Sequence, residues 1–132
     1  MRVKPIAEIT MNSLSGHVQQ VRAGPHEWRA DEPVAQGGDG SAPAPYELLL
    51  SALGACTAIT LQMYARRKQW ELGEIHLEMK FFMHEGEERI ERVLRFGAAL
   101  DDGQRARLLE IAGKTPVTRT VHAGTPIETR LA

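Results

Sequence analysis

An α+β fold is the expectation for this chain, and three stretches carry it. Residues 74–83 alternate, with Ile75, Leu77, Met79 and Phe81 on one face and Glu74, His76, Glu78 and Lys80 on the other, the period of a half-buried strand. From Tyr46 the pattern changes to that of a helix with apolar side chains around much of its circumference: Leu49, Leu50, Leu53, Cys56, Ala58, Ile59, Leu61, Met63 and Tyr64. Asp101-Asp102 then opens a second helix, with Leu108, Leu109, Ile111 and Ala112 as its apolar positions and Gly113 at its end.

The remaining elements fall around these three. Residues 5–11 and 17–22 read as strands split by the turn-forming Asn12-Ser13-Leu14-Ser15-Gly16, and Gly24-Pro25 punctuates again before a third strand at 26–30. Residues 31–45, DEPVAQGGDGSAPAP, hold three prolines and three glycines and little to bury. A loop of that length is uncommon and often functional. Pro45 suits the first turn of the long helix, and Arg66, Arg67 and Lys68 close it against the negative end of its dipole. After residues 74–83 the chain turns around 85–88. Ile90, Arg92, Leu94 and Phe96, set against Glu91, Val93 and Arg95, form an antiparallel partner strand with less perfect alternation. Residues 116–121 suit another short turn of helix and residues 126–131 a last strand, giving the order βββ-α-ββ-α-β.

With 132 residues the chain is expected to form one domain, 1–132. A net charge of -1, with acids and bases interleaved, lacks the basic field of a nucleic-acid binder. The longest apolar-rich stretch, residues 46–64, is broken by Glu47, Ser51, Thr57 and Gln62, so no membrane span is expected. MRVKPIAEIT lacks the apolar core of a signal peptide, which places the protein in the cytoplasm. The five histidines stand as singles, and the single cysteine makes neither an internal disulfide nor a zinc-finger spacing; no metal is expected. GGDGSAPAP lacks the lysine of a phosphate-cradling loop, so no nucleotide or other cofactor is expected either.

Cys56 is the candidate reactive thiol. It lies about eleven residues into its helix, roughly 16 Å from the N-terminus, too far for the dipole to assist it. Its helical neighbours Ala52, Leu53, Ile59 and Thr60 make an apolar wall with one hydroxyl, a setting that suits a greasy substrate and asks for a cation from elsewhere to support a thiolate. A lone helical cysteine is otherwise an ordinary small hydrophobe.

The segment Ala42-Pro-Ala-Pro-Tyr-Glu-Leu-Leu-Leu-Ser-Ala-Leu-Gly-Ala-Cys56-Thr-Ala resembles the signature of OsmC-like proteins, the osmotically inducible and organic hydroperoxide resistance group. The resemblance extends through His26, Asp31-Glu32-Pro33 and Gly37-Gly38 upstream, and through residues 64–68, 101–109 and Lys114-Thr-Pro-Val-Thr-Arg-Thr downstream. It implies antiparallel sheets wrapped around two central helices in an intertwined homodimer. It also implies a thiol-dependent, peroxiredoxin-like reduction of organic hydroperoxides. Cys56 matches the family's first, peroxide-attacking cysteine. Glu47 resembles the glutamate that works with an arginine to orient it, although nine residues at ~100° each set Glu47 on nearly the opposite helix face, so that a kink at Gly54 or a route across the dimer is needed. Arg22 and Arg29 are the nearest arginine candidates. The family's resolving cysteine falls at Thr115, and Thr118 stands where many relatives carry histidine. A hydroxyl cannot condense with a sulfenic acid to a disulfide, so turnover in a one-cysteine mode requires an external thiol reductant. The competing expectation is a catalytically degenerate dimer that binds a small hydrophobic ligand.

Overall fold

The computed structural model describes residues 3–132. The architecture is mixed α+β: strands β1 (Thr10–Ser13), β2 (Gln19–Ala23) and β3 (His26–Ala30), helix α1 (Pro45–Lys68), strands β4 (Ile75–His84) and β5 (Glu87–Phe96), and helices α2 (Asp102–Ala112) and α3 (Pro116–Ala123). The chain divides into two compact units, one running to Leu49 and the other from Leu50 to Ala132.

In the first unit β1, β2 and β3 form the expected antiparallel meander. Its first strand starts later than expected, because Asn12 and Ser13 pair with Gln20 and Gln19 and the chain turns at residues 14–17. Val18, Val21 and Ala30 are buried. The loop that follows is held by one side chain. Asp31, 3% exposed, accepts hydrogen bonds from the Ser41 hydroxyl (2.7 Å) and from the backbone N–H groups of Glu32 (2.7 Å), Ser41 (3.0 Å) and Asp39 (3.3 Å). Gly38 is required there, since a Cβ would run into the Glu32 carbonyl.

Those bonds, the Ser41 hydroxyl first, pull the Asp31 carboxyl from 3.8 down to about 2. In the unfolded chain Asp31 takes its proton near the ordinary value, whereas in the fold it resists until about pH 2. Its stabilising charge is therefore fully present above the ordinary value and is lost as pH falls through the folded value. Thermal melts of Asp31→Asn and wild type are expected to differ clearly near neutral pH and to converge as acid approaches about pH 2. A constant gap would place the effect outside the titration of Asp31.

The second unit contains the core. Leu61 and Ala65 of α1 pack with Leu72 and Leu108, flanked by Tyr64, Trp70, Ile75, Leu94, Phe96, Leu100 and Ile111. α1 stops in a double hydrogen bond, Trp70 N–H to the Ala65 carbonyl (2.9 Å) and Gln69 N–H to that of Arg66 (3.2 Å), with Gln69 left-handed at φ 58°. β4 and β5 pair antiparallel over their full length through a two-residue turn, Glu85-Gly86, both at positive φ. Asp101 caps α2 reciprocally with Gln104. Leu61→Ala removes a fully buried side chain and is expected to cost about 2–5 kcal/mol, read from the urea midpoint.

Two expectations change. Residues 124–132 form no strand; a ladder needs a neighbour to accept its bonds, and Ile127 and Leu131 stand almost fully exposed. And α1, expected to be central, buries a single stripe, Leu53, Thr57, Leu61 and Ala65, spaced four apart. Ile59 and Met63 remain exposed at 54% and 57%. By length and composition α1 is apolar enough to cross a membrane, with a mean hydropathy of 1.5. Its stripe lies in a protein core.

Candidate functional site

The side chain that organises the site is Arg92. On β5 the inward positions are Ile90, Arg92, Leu94 and Phe96, so a guanidinium enters an otherwise apolar face directly across from Met79 of β4. Arg92 Nη1 donates to Thr57 Oγ1 (2.8 Å) and Thr118 Oγ1 (2.9 Å), and Nη2 donates to the Ala112 carbonyl (2.9 Å). Three elements meet on it: the buried stripe of α1, the carbonyl end of α2 with its partial negative charge, and the first turn of α3.

The hydroxyls have consistent roles. Thr57 donates to the Leu53 carbonyl (2.7 Å) while accepting from Arg92. Thr118 donates to the Ala112 carbonyl (3.3 Å), accepts from Arg92 and shares a 2.6 Å hydrogen bond with Thr115. Thr115, only 1% exposed, starts α3 without capping it by its side chain; its hydroxyl turns to Thr118 instead. Gly54 lets this part of α1 approach β4, for a Cβ there would lie 3.1 Å from Met79 Sδ.

Cys56, half-buried, immediately precedes Thr57. Burial pushes the Arg92 guanidinium below its ordinary value, and the Coulomb attraction of an ionised Cys56 works against that shift. Among the described residues no carboxylate forms an ion pair with Arg92; the ion pairs of this unit lie elsewhere, on Arg89, Arg95, Arg107, Lys114 and two exposed histidines. Arg92 is thus a half-buried cation bonded to the residue that follows Cys56 in the chain.

The other expected site residues have local duties in the first unit. Glu47 Oε1 accepts from the Ala44 backbone N–H at 2.8 Å, a bond that ties the start of α1. Arg22 pairs with Glu27 across β2 and β3 (3.0 Å), and Arg29 faces Gln20 in the register. Among the described residues no three histidine, cysteine, aspartate or glutamate side chains are grouped as metal ligands would be. Arg92 was not among the arginines expected from the sequence, though its signal was there: one charged residue on the apolar face of an alternating strand, where an ion needs a specific reason to sit.

An α+β chain whose hairpin anchors an arginine against three helices has a particular architecture, and comparison with known proteins says which. The profile of the OsmC-like protein family matches residues 38–130, and the chain belongs to that family. Among curated protein sequences none matches significantly. Solved structures share the fold. A Psychrobacter arcticus protein described as an osmotic stress induced and detoxification response protein superposes with a TM-score of 0.81 at 20% identity, over 92% of this chain and 93% of its own. An OsmC-like protein from Mycoplasma pneumoniae gives 0.78 at 15% identity, over 91% and 89%. The organic hydroperoxide resistance protein OhrB of Bacillus subtilis gives 0.63 at 19% identity, over 87% and 89%.

Proposed function

We propose that this protein reduces organic hydroperoxides through Cys56 in a one-cysteine mode, as a thiol-dependent peroxidase. The observation that carries the reading is Arg92: an anchored, half-buried guanidinium that donates to Thr57, the residue next to the sequence's single cysteine. The name of the Bacillus subtilis neighbour supplies the substrate class. The Cys56 thiolate attacks the peroxide, a sulfur–oxygen bond forms as the oxygen–oxygen bond breaks, and the departing alkoxide takes a proton to leave as alcohol. Thr115 stands where family resemblance expects the resolving cysteine, so the sulfenic acid finds no second thiol in this sequence and an outside thiol must reduce it. Glu47 enters as the accessory carboxylate that family resemblance suggests, held at the start of the helix that carries the nucleophile.

The reading includes a homodimer, with Ile59 and Met63 of α1 covered by a second copy, and a cytoplasmic location, where reduced thiols abound. The same uncovered residues favour one competing reading, a dimer of this fold that binds a small hydrophobic ligand without turnover. Wild type is expected to consume cumene hydroperoxide with a dithiol as reductant, and Cys56→Ser is expected to be inert. Equal rates for the two proteins end the peroxidase reading. A thiol left unmodified in the mass spectrum after brief exposure to peroxide favours the binder.

A further inference from the structure

The first unit holds a hollow that the proposed reaction does not use. Its volume is about 400 Å³, at the small end of the range for small-molecule sites. Ala30 and Pro45 supply apolar lining, and the polar lining divides into groups already engaged and groups left over. Gln19 is engaged at both ends of its amide: the oxygen accepts from the Ser13 hydroxyl (2.7 Å) and the nitrogen donates to the His17 carbonyl (3.1 Å). Asp31 is engaged as well. A carboxylate offers about four lone-pair sites, and the bonds from Glu32, Asp39 and Ser41 fill those of Asp31. The side chains of His17, Glu32 and Gln36 also line the hollow, and they make no hydrogen bond or ion pair among the described residues. His17 is seated against the loop by a bare glycine, since a Cβ on Gly37 would lie 3.3 Å from its Nε2. Three unspent polar side chains thus reach one hollow from separate stretches: just before β2, just after β3, and the short helical turn Val34–Gln36.

The charges around the hollow have one sign. Asp31 is buried and stays ionised at neutral pH, and Glu32 is a second, half-buried carboxylate. No lysine or arginine lines the hollow. The ion pair of this unit among the described residues, Arg22 with Glu27, involves neither acid. Carboxylates without a paired cation leave their field in the concavity, where it favours a positive guest. A metal ion does not suit the lining. With Asp31 saturated, Glu32 and His17 remain as the strong ligands, short of the set that holds zinc, and no three such side chains are grouped among the described residues. We infer that the hollow binds a small primary amine as its ammonium ion, with a short hydrocarbon body. An ammonium carries three N–H donors and no acceptor. The lining offers it three acceptors: the Glu32 carboxylate, the Gln36 amide oxygen and a ring nitrogen of neutral His17. The bond to Glu32 joins two opposite charges and is the strongest of the three. Ala30 and Pro45 take the hydrocarbon. This site is independent of Cys56 and of the peroxidase reading.

The test titrates isotope-labelled protein with n-butylammonium chloride, n-butanol, sodium butyrate and zinc chloride at constant ionic strength, and follows the amide and imidazole resonances. Butylammonium is expected to give saturable shifts centred on His17, Glu32 and Gln36, while butanol and butyrate at the same concentrations give none. Glu32→Gln, which keeps the shape and removes the charge, is expected to weaken binding by on the order of tenfold, and Gln36→Ala by a smaller factor. Cys56→Ser is expected to bind as wild type does. Absence of a saturable shift in wild type overturns the inference. So does an equal response to butanol, which marks an apolar crevice only, and so does saturation by zinc in place of the amine. Affinity unchanged in both Glu32→Gln and Gln36→Ala overturns it as well. Should Glu32→Gln melt below wild type, Gln36→Ala, altered at an exposed side chain, carries the test. Nα-acetyl-lysine amide distinguishes the source of the ammonium: tighter binding of this capped residue than of butylammonium assigns the hollow to a lysine of a partner protein and overturns the small amine.

Discussion

Replacing Arg92 with methionine is expected to slow both peroxide turnover and iodoacetamide alkylation of Cys56 by on the order of tenfold or more, while the melting temperature holds or rises. The two halves of this expectation have separate causes. Reactivity falls, on the proposed reading, because the cation anchored on Thr57, next to Cys56, is lost from a half-buried site. Stability does not fall with it because the groups left behind keep other partners: Thr57 still donates to Leu53, and Thr118 still donates to Ala112 and meets Thr115. The cation itself sits half-buried without a carboxylate among the described residues, a desolvation cost that methionine of similar length does not carry. Alkylation rates and thermal melts on the same preparations check both. A variant that melts much lower and reacts as wild type does would make Arg92 a structural residue only.

Thr115→Cys is expected to change the reaction's course. Thr115 occupies the position where family resemblance expects the resolving cysteine, and its hydroxyl is two hydrogen bonds from Arg92, through Thr118. Threonine and cysteine are close in size, so the exchange fits the buried site at the cost of one hydrogen bond, about 1 kcal/mol. Equimolar peroxide should then convert Cys56 and the introduced thiol to a disulfide within one chain. The mass spectrum of the unreduced protein would register it as the loss of two hydrogens, and trapping of the sulfenic acid would fall accordingly. Persistence of a trappable sulfenic acid at the wild-type level would show that the two side chains do not meet.

Much of this was legible along the chain, for local reasons. The alternation of residues 74–83 is β4, the Asp101 cap opens α2, and Pro45 and Lys68 bound α1 as expected, because each of these signals acts within one or two turns of backbone. The family motif around Cys56 is equally local. The stretch at 126–131 misled, since a segment that suits a strand does not name the neighbour that a strand requires. Glu47 was attractive by resemblance, and its visible contact is a helix-start bond to Ala44, three residues away.

The sequence by itself determined the family, the nucleophile candidate and the absence of a second thiol, because these depend on residue identity and nearby spacing. Only the tertiary structure decided what accompanies the thiol. Arg92 is thirty-five residues from Thr57 and twenty from Ala112 along the chain. Its value arises from three acceptors converging from α1, α2 and α3 on one half-buried guanidinium. Sequence order holds the arginine's position on the apolar face of its strand, but not what lies across from that face, since that depends on how separate elements pack.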